Sequence, residues 1–148
     1  MWTACGGSSW SSYRAERLPP RRSRPTATET HSAASSAAIE RFWGRQHLRD
    51  YRFRMRVRCF CPSAGHAVLV TVRDGRPHGV TGFPKRLDTI PEMFRAIRGA
   101  LDDSRAGDVT ARYDARRGFP RSASIDRIKN AIDDEVGWTA DRFRPLKR

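Results

Sequence analysis

Four arginines alternate with apolar residues between Tyr51 and Cys61: Arg52, Arg54, Arg56 and Arg58. In a β-strand, side chains two residues apart share a face and stand about 7 Å from one another. Guanidinium groups held in such a row repel unless counter-charged, so the row has two readings. It can attract a polyanion, whether anionic lipid headgroups, wall polymers or nucleic acid. It can equally be a solvated sheet face paired with cross-strand Asp or Glu. Composition weakens the first reading, because 26 of the 29 basic residues are Arg, the bias that GC-rich coding produces without selection for a partner. No helix-turn-helix, zinc finger or RNA-stacking aromatic pattern accompanies the row, which argues against base-specific recognition.

Cys59 and Cys61 continue the same alternation. Residues two apart in an ideal strand lie near the outer limit for a disulfide, so a bond needs a bulge. Pro62 and the Ser-Ala-Gly run after it offer a strand end where a bulge costs little pairing. Three states are open to the pair: an intra-motif disulfide in an oxidising compartment, two reduced cysteines in the core or its rim, or metal and redox chemistry. His66 completes a set of three zinc ligands, but a structural site takes four and no fourth is evident, so no metal is expected. Asp126, Asp133, Asp134 and Glu135 lack the spacing of a calcium loop and read as a solvated loop. The sequence has no phosphate-binding glycine loop, no nucleophile elbow and no Ser-His-Asp order. The expectation is a protein that is not an enzyme and takes no cofactor.

The elements that position these groups follow from periodicity. The chain has 148 residues and a formal charge of +13, enough for one domain and a tail. No apolar run approaches the roughly 18 residues that cross a bilayer. Residues 1–38, rich in Ser, Ala, Pro, Thr and Arg, read as a disordered linker, and 39–148 as the domain. The first forty residues hold five Arg and three Glu, which leaves 24 basic and 13 acidic residues, or +11, on the remainder. Ile39, Phe42 and Trp43 have helical spacing and open the domain with a short helix. The Arg-interleaved strand follows, then a Val-rich strand from Ala67 to Arg73. Asp74-Gly75, the dipeptide favoured by a type I′ turn, leads into a weaker edge strand from Pro77 to Phe83.

Thr89-Ile90-Pro91-Glu92 has capping-box spacing, and Ile90, Met93, Phe94, Ile97 and Leu101 make one apolar stripe, so a helix is expected from Ile90 to Asp103. Strands follow from Val109 to Tyr113, Ser122 to Ile128 and Val136 to Phe143. Tyr113-Asp114 and Gly118-Phe119-Pro120 set a hairpin, with Gly supplying the unusual backbone angles. The order α, β, β, β, α, β, β, β predicts a two-layer α+β domain. Its antiparallel sheet has five to six strands, covered on one face by one long and one short helix.

The ordered pieces resemble a family of small bacterial exported proteins catalogued as domain of unknown function 6174. They are Asp50-Tyr51, Cys59-Phe60-Cys61-Pro62, Val70-Thr71-Val72-Arg73-Asp74-Gly75, Thr89-Ile90 with Phe94, Tyr113-Asp114, Gly118-Phe119-Pro120, Ile125-Asp126 and Asp133-Asp134-Glu135. The likeness runs from about Phe42 onward. It implies an exported, usually lipid-anchored protein, and it supplies no catalytic residues. Thr3-Ala4-Cys5-Gly6-Gly7-Ser8-Ser9 looks like the end of a lipoprotein signal followed by a small, polar linker, with Trp2 in place of the usual Leu. The charged n-region and apolar h-region of such a signal do not precede Cys5 in the sequence, so this reading puts the translation start upstream of Met1. Cys5 then becomes the lipid-carrying first residue of an envelope protein. The competing reading takes Cys5 as incidental, Met1 as the start, and the protein as a cytosolic binder of nucleic acid through its Arg face.

Overall fold

Period-two burial runs through the Arg-interleaved segment, with Tyr51, Phe53, Met55 and Val57 at most 1% exposed. The computed structural model describes residues 28–30, 32–60, 62, 64–79, 87–129, 131 and 135–147. Chain order is β1 (Thr28–Thr30), α1 (Ala33–Gly44), β2 (Tyr51–Arg58), β3 (Ala67–Arg73), β4 (Arg76–His78), α2 (Ile90–Asp102), β5 (Val109–Tyr113), β6 (Pro120–Asp126) and β7 (Glu135–Pro145). The strands form one sheet in the spatial order β1-β5-β6-β7-β2-β3-β4, with every pairing antiparallel. Two three-stranded meanders thus stand side by side, joined along a β2–β7 seam, and α2 connects one to the other.

Local chemistry accounts for the connections. Asp74 and Gly75 both have positive φ, 50° and 75°, as a type I′ turn requires. Thr89 caps α2, its Oγ1 accepting from Glu92 N at 3.3 Å, and Pro91 sits in the first turn, where its missing N–H costs nothing. Ile90, Met93, Phe94 and Ile97 are fully buried beneath it. The Ile90 N–H donates to the Tyr51 hydroxyl at 3.1 Å, which ties the start of α2 to β2.

Both helices cover the same face of the sheet, which confirms a two-layer α+β domain. Trp43 of α1 meets Tyr51, Phe119 and Phe143 edge-on, at centroid separations of 5.7, 6.5 and 5.5 Å. Each such pair contributes about 0.5–1.5 kcal/mol beyond simple burial. Phe143 reaches this cluster through a bulge. Arg52 pairs with Arg144 but Arg54 with Asp141, so Phe53 faces two residues of β7. The extra residue is Arg142, at φ 53°, and its insertion returns Phe143 to the core side.

Several expectations change. Regular structure is present before residue 39, with β1 at 28–30 and α1 from Ala33, and residues 1–27 lie outside the described residues. The helices are nearly equal, 12 and 13 residues, rather than one short and one long. Small residues hid the first half of α1: Ala33 to Ala38 shows no apolar stripe, yet Ser32 caps it and buried Ser36 hydrogen-bonds the Tyr113 hydroxyl at 2.9 Å. The sheet has seven strands rather than five or six, the addition being β1. Strand β2 stops at Arg58, so Cys59 does not extend it, and Cys61 lies outside the described residues. The edge strand β4 is Arg76–His78, and the rest of its expected span falls largely outside the described residues.

Candidate functional site

The open face of the sheet, opposite the helices, carries the arginine row and adds to it. Strand registers place side chains in lateral rows. Arg52 lies between Thr71 of β3 and Arg144 of β7, while Thr71 has His78 of β4 on its other side. Arg54 lies between Leu69 and Asp141, and Arg56 between Ala67 and Thr139. Beyond Thr139 the row continues through Ser122 to Arg112. Arg58 stands opposite Gly137, and its guanidinium lies over that glycine, since a Cβ there would come 3.0 Å from Arg58 Nη2. Arg73 and Arg76 face each other at the β3–β4 edge.

Along the β2 rows, among the described residues, the carboxylate that answers is Asp141. Arg54 grips Asp141 with two parallel bonds, Nε to Oδ1 at 2.7 Å and Nη2 to Oδ2 at 2.5 Å. That hydrogen bonding holds the Asp141 carboxyl below its ordinary range, helped by the charges of Arg54, Arg142 and Arg56. Arg73 donates to the Lys147 carbonyl at 3.1 Å and stands 4.0 Å from Asp50. Among the described residues, Arg52, Arg56, Arg58, Arg76 and Arg144 make no ion pair. Like charges directly opposed on a sheet are destabilising, so the Arg52–Arg144 and Arg73–Arg76 pairs favour an arriving anion.

Apolar side chains border this charge. Leu69, beside Arg54, is 57% exposed, and Phe60, two residues past Arg58, is 87% exposed. A large aromatic ring thus stands in water next to cations that make no ion pair among the described residues.

The other candidate residues scatter. Cys59 is half-buried just past the end of β2, and Cys61 and Cys5 lie outside the described residues. His66 is exposed, and no group of three or more His, Cys, Asp or Glu able to hold a metal occurs among the described residues. Asp126 and Glu135 are register partners on β6 and β7, while Asp133 and Asp134 lie outside the described residues. Reading along β2 alone missed Arg144, Arg73, Arg76 and the counter-ion Asp141. The signal available was the alternation Asp141, Phe143 around Arg142 and Arg144, but the bulge breaks its period.

Fold and face together define an antiparallel α+β domain with the helices packed on one sheet face and the other face basic and left open by the described residues. Over residues 35–145 the chain matches the model of a Family of unknown function (DUF6174), and it belongs to that family. No curated protein and no solved structure matches it.

Proposed function

We propose that this is a non-enzymatic binding module of the cell envelope that lies with its open sheet face on an anionic lipid surface. The observation that carries the reading is the conjunction on one face of Arg52, Arg56, Arg58 and Arg144, which make no ion pair among the described residues, with exposed Leu69 and Phe60. Arginines near an anionic membrane gain about 1 kcal/mol each, and a protruding aromatic ring adds hydrocarbon burial that nucleic acid does not reward in the same way. Export and tethering through lipid-modified Cys5 belong to the same proposal, supported by the Thr3-Ala4-Cys5-Gly6 run. So does a Cys59–Cys61 disulfide, for which the support is the spacing of the two cysteines just ahead of Pro62, where a bulge costs little pairing. Such a bond persists outside the cytosol.

The test is co-sedimentation with phosphatidylglycerol vesicles, phosphatidylcholine vesicles and a DNA duplex at matched salt. Binding to the anionic vesicles only is expected. The double change Arg56→Gln with Arg58→Gln removes two charges without breaking an ion pair and should weaken it by about 30-fold, roughly 2 kcal/mol. Phe60→Ser should weaken vesicle binding as well. Tight duplex binding that ignores Phe60→Ser would transfer the face to nucleic acid, and equal binding to both vesicle types would end the proposal. Mass analysis of the N-terminal peptide from native membranes tests the tether: an unmodified chain starting at Met1 rules it out.

A further inference from the structure

On the side of the sheet away from the arginines, α2 leaves part of the layer uncovered. Beside it opens a cavity of about 1020 Å³, the scale of a pocket for a small organic molecule. Val57, Ile125, Val136 and Trp138 form its sheet side, and Ala96 and Gly99 of α2 face them. Small helix residues are the reason the space exists: a Cβ at Gly99 would meet nothing within 4 Å.

Two polar atoms of the lining are buried without a hydrogen-bond partner among the described residues, the Trp138 Nε1–H and Glu92 Oε2. Trp138 is 0% exposed. An indole N–H kept from both water and acceptors is costly, and buried tryptophans ordinarily find a partner. At the mouth, Arg105 is committed to Asp103 through bonds of 3.1 and 3.0 Å. Arg95 and Arg127 also line the mouth, are exposed and make no ion pair among the described residues.

We propose that this cavity binds a small apolar carboxylic acid, its hydrocarbon body against Val57, Ile125 and Val136, and its carboxylate between Arg95 and Arg127. The walls ask for hydrocarbon and the mouth for an anion. The site is independent of the lipid-facing reading, because the sheet separates the two.

Isothermal titration of the full chain with decanoate, 3-hydroxydecanoate and decanol tests it. Both acids are expected to bind more tightly than the alcohol. Gly99→Leu fills the mouth with a better helix former and should weaken both acids by at least about ten-fold without lowering the melting temperature. Arg95→Gln with Arg127→Gln should abolish the preference for acid over alcohol. The Arg56→Gln/Arg58→Gln variant should bind decanoate as the parent does, which separates the cavity from adsorption on the open face. No acid binding by the parent, unchanged binding by Gly99→Leu, or binding lost only in the open-face variant would overturn the assignment.

Discussion

Replacing Tyr51 by Phe removes one oxygen and keeps the ring, so no cavity forms among Trp43, Phe53 and Phe143, which surround it. What changes is the start of α2. The Ile90 N–H, on a residue 0% exposed, loses the hydroxyl 3.1 Å away that accepts from it. A buried donor left without a partner costs about 1–3 kcal/mol. With an unfolding entropy near 2.1 cal/mol/K per residue, a domain of about 110 residues melts about 4 °C lower per kcal/mol. The expected loss is therefore about 4–12 °C by calorimetry, with a matching fall in urea midpoint and no change in its slope.

A second readout belongs to the same hydroxyl. Burial pushes the Tyr51 phenol up to about 12 from 10.0. Above pH 10 the unfolded chain releases this proton first, so the contribution of Tyr51 is whole below pH 10 and is lost as pH rises toward 12. Tyr51→Phe should make the alkaline decline shallower. Tyr113→Phe is the comparison for stability, because among the described residues its hydroxyl meets only Ser36 Oγ at 2.9 Å, and Ser36 can turn to a helix carbonyl instead. It should cost about 0.5–1.5 kcal/mol. A Tyr51→Phe protein within about 0.5 kcal/mol of the parent, with an unchanged alkaline slope, would refute the role given to that bond.

Other outcomes follow from the same structure. The Asp88 hydrogen bond, then burial, raises the Glu92 carboxyl to about 7 from 4.5; its contribution is whole below pH 4.5 and declines as pH rises to 7, so Glu92→Gln should flatten urea midpoints across that window. Asp141→Asn frees Arg54, should cost no more than about 1 kcal/mol because the pair is 29% and 45% exposed, and should tighten phosphatidylglycerol vesicle binding about five-fold. The parent should lose the Asp141 contribution as pH falls below 3.8, and this variant should not. Gly118 sits at φ +77°, and a Cβ there would come 2.8 Å from Phe42 Cδ1. Phe42 is 38% exposed and can swing away, so Gly118→Ala should cost mainly the left-handed backbone penalty, about 1–2 kcal/mol by chemical denaturation.

Elements held by short-range chemistry were readable from the sequence. The period of two from Tyr51 to Val57, the Asp74-Gly75 turn and the Thr89 cap each place their signal within a few residues of its effect. The first half of α1 was not readable, because alanine and serine leave no stripe and its anchor is Ser36 on Tyr113, 77 residues away. The same limit applies to the candidate face. Its β2 row showed in the alternation, but Arg144 joins Arg52, and Asp141 reaches Arg54, only through strand pairing across nearly the whole domain and a bulge at Arg142. In α2, Ala96 and Gly99 looked like ordinary helix residues, and the space above them exists only once Trp138 and Val57 are laid opposite.

The β2–β7 seam also sets when the domain can assemble. Made from its N-terminus, the chain completes β2, β3 and α2 long before residues 135–145 arrive to pair with Tyr51–Arg58. Until then β2 has one bare edge beside an uncovered apolar face, the arrangement most open to mispairing. Closure between such distant segments is slow. A domain that stays unzipped until its last strand is made remains a threadable chain through nearly all of its synthesis.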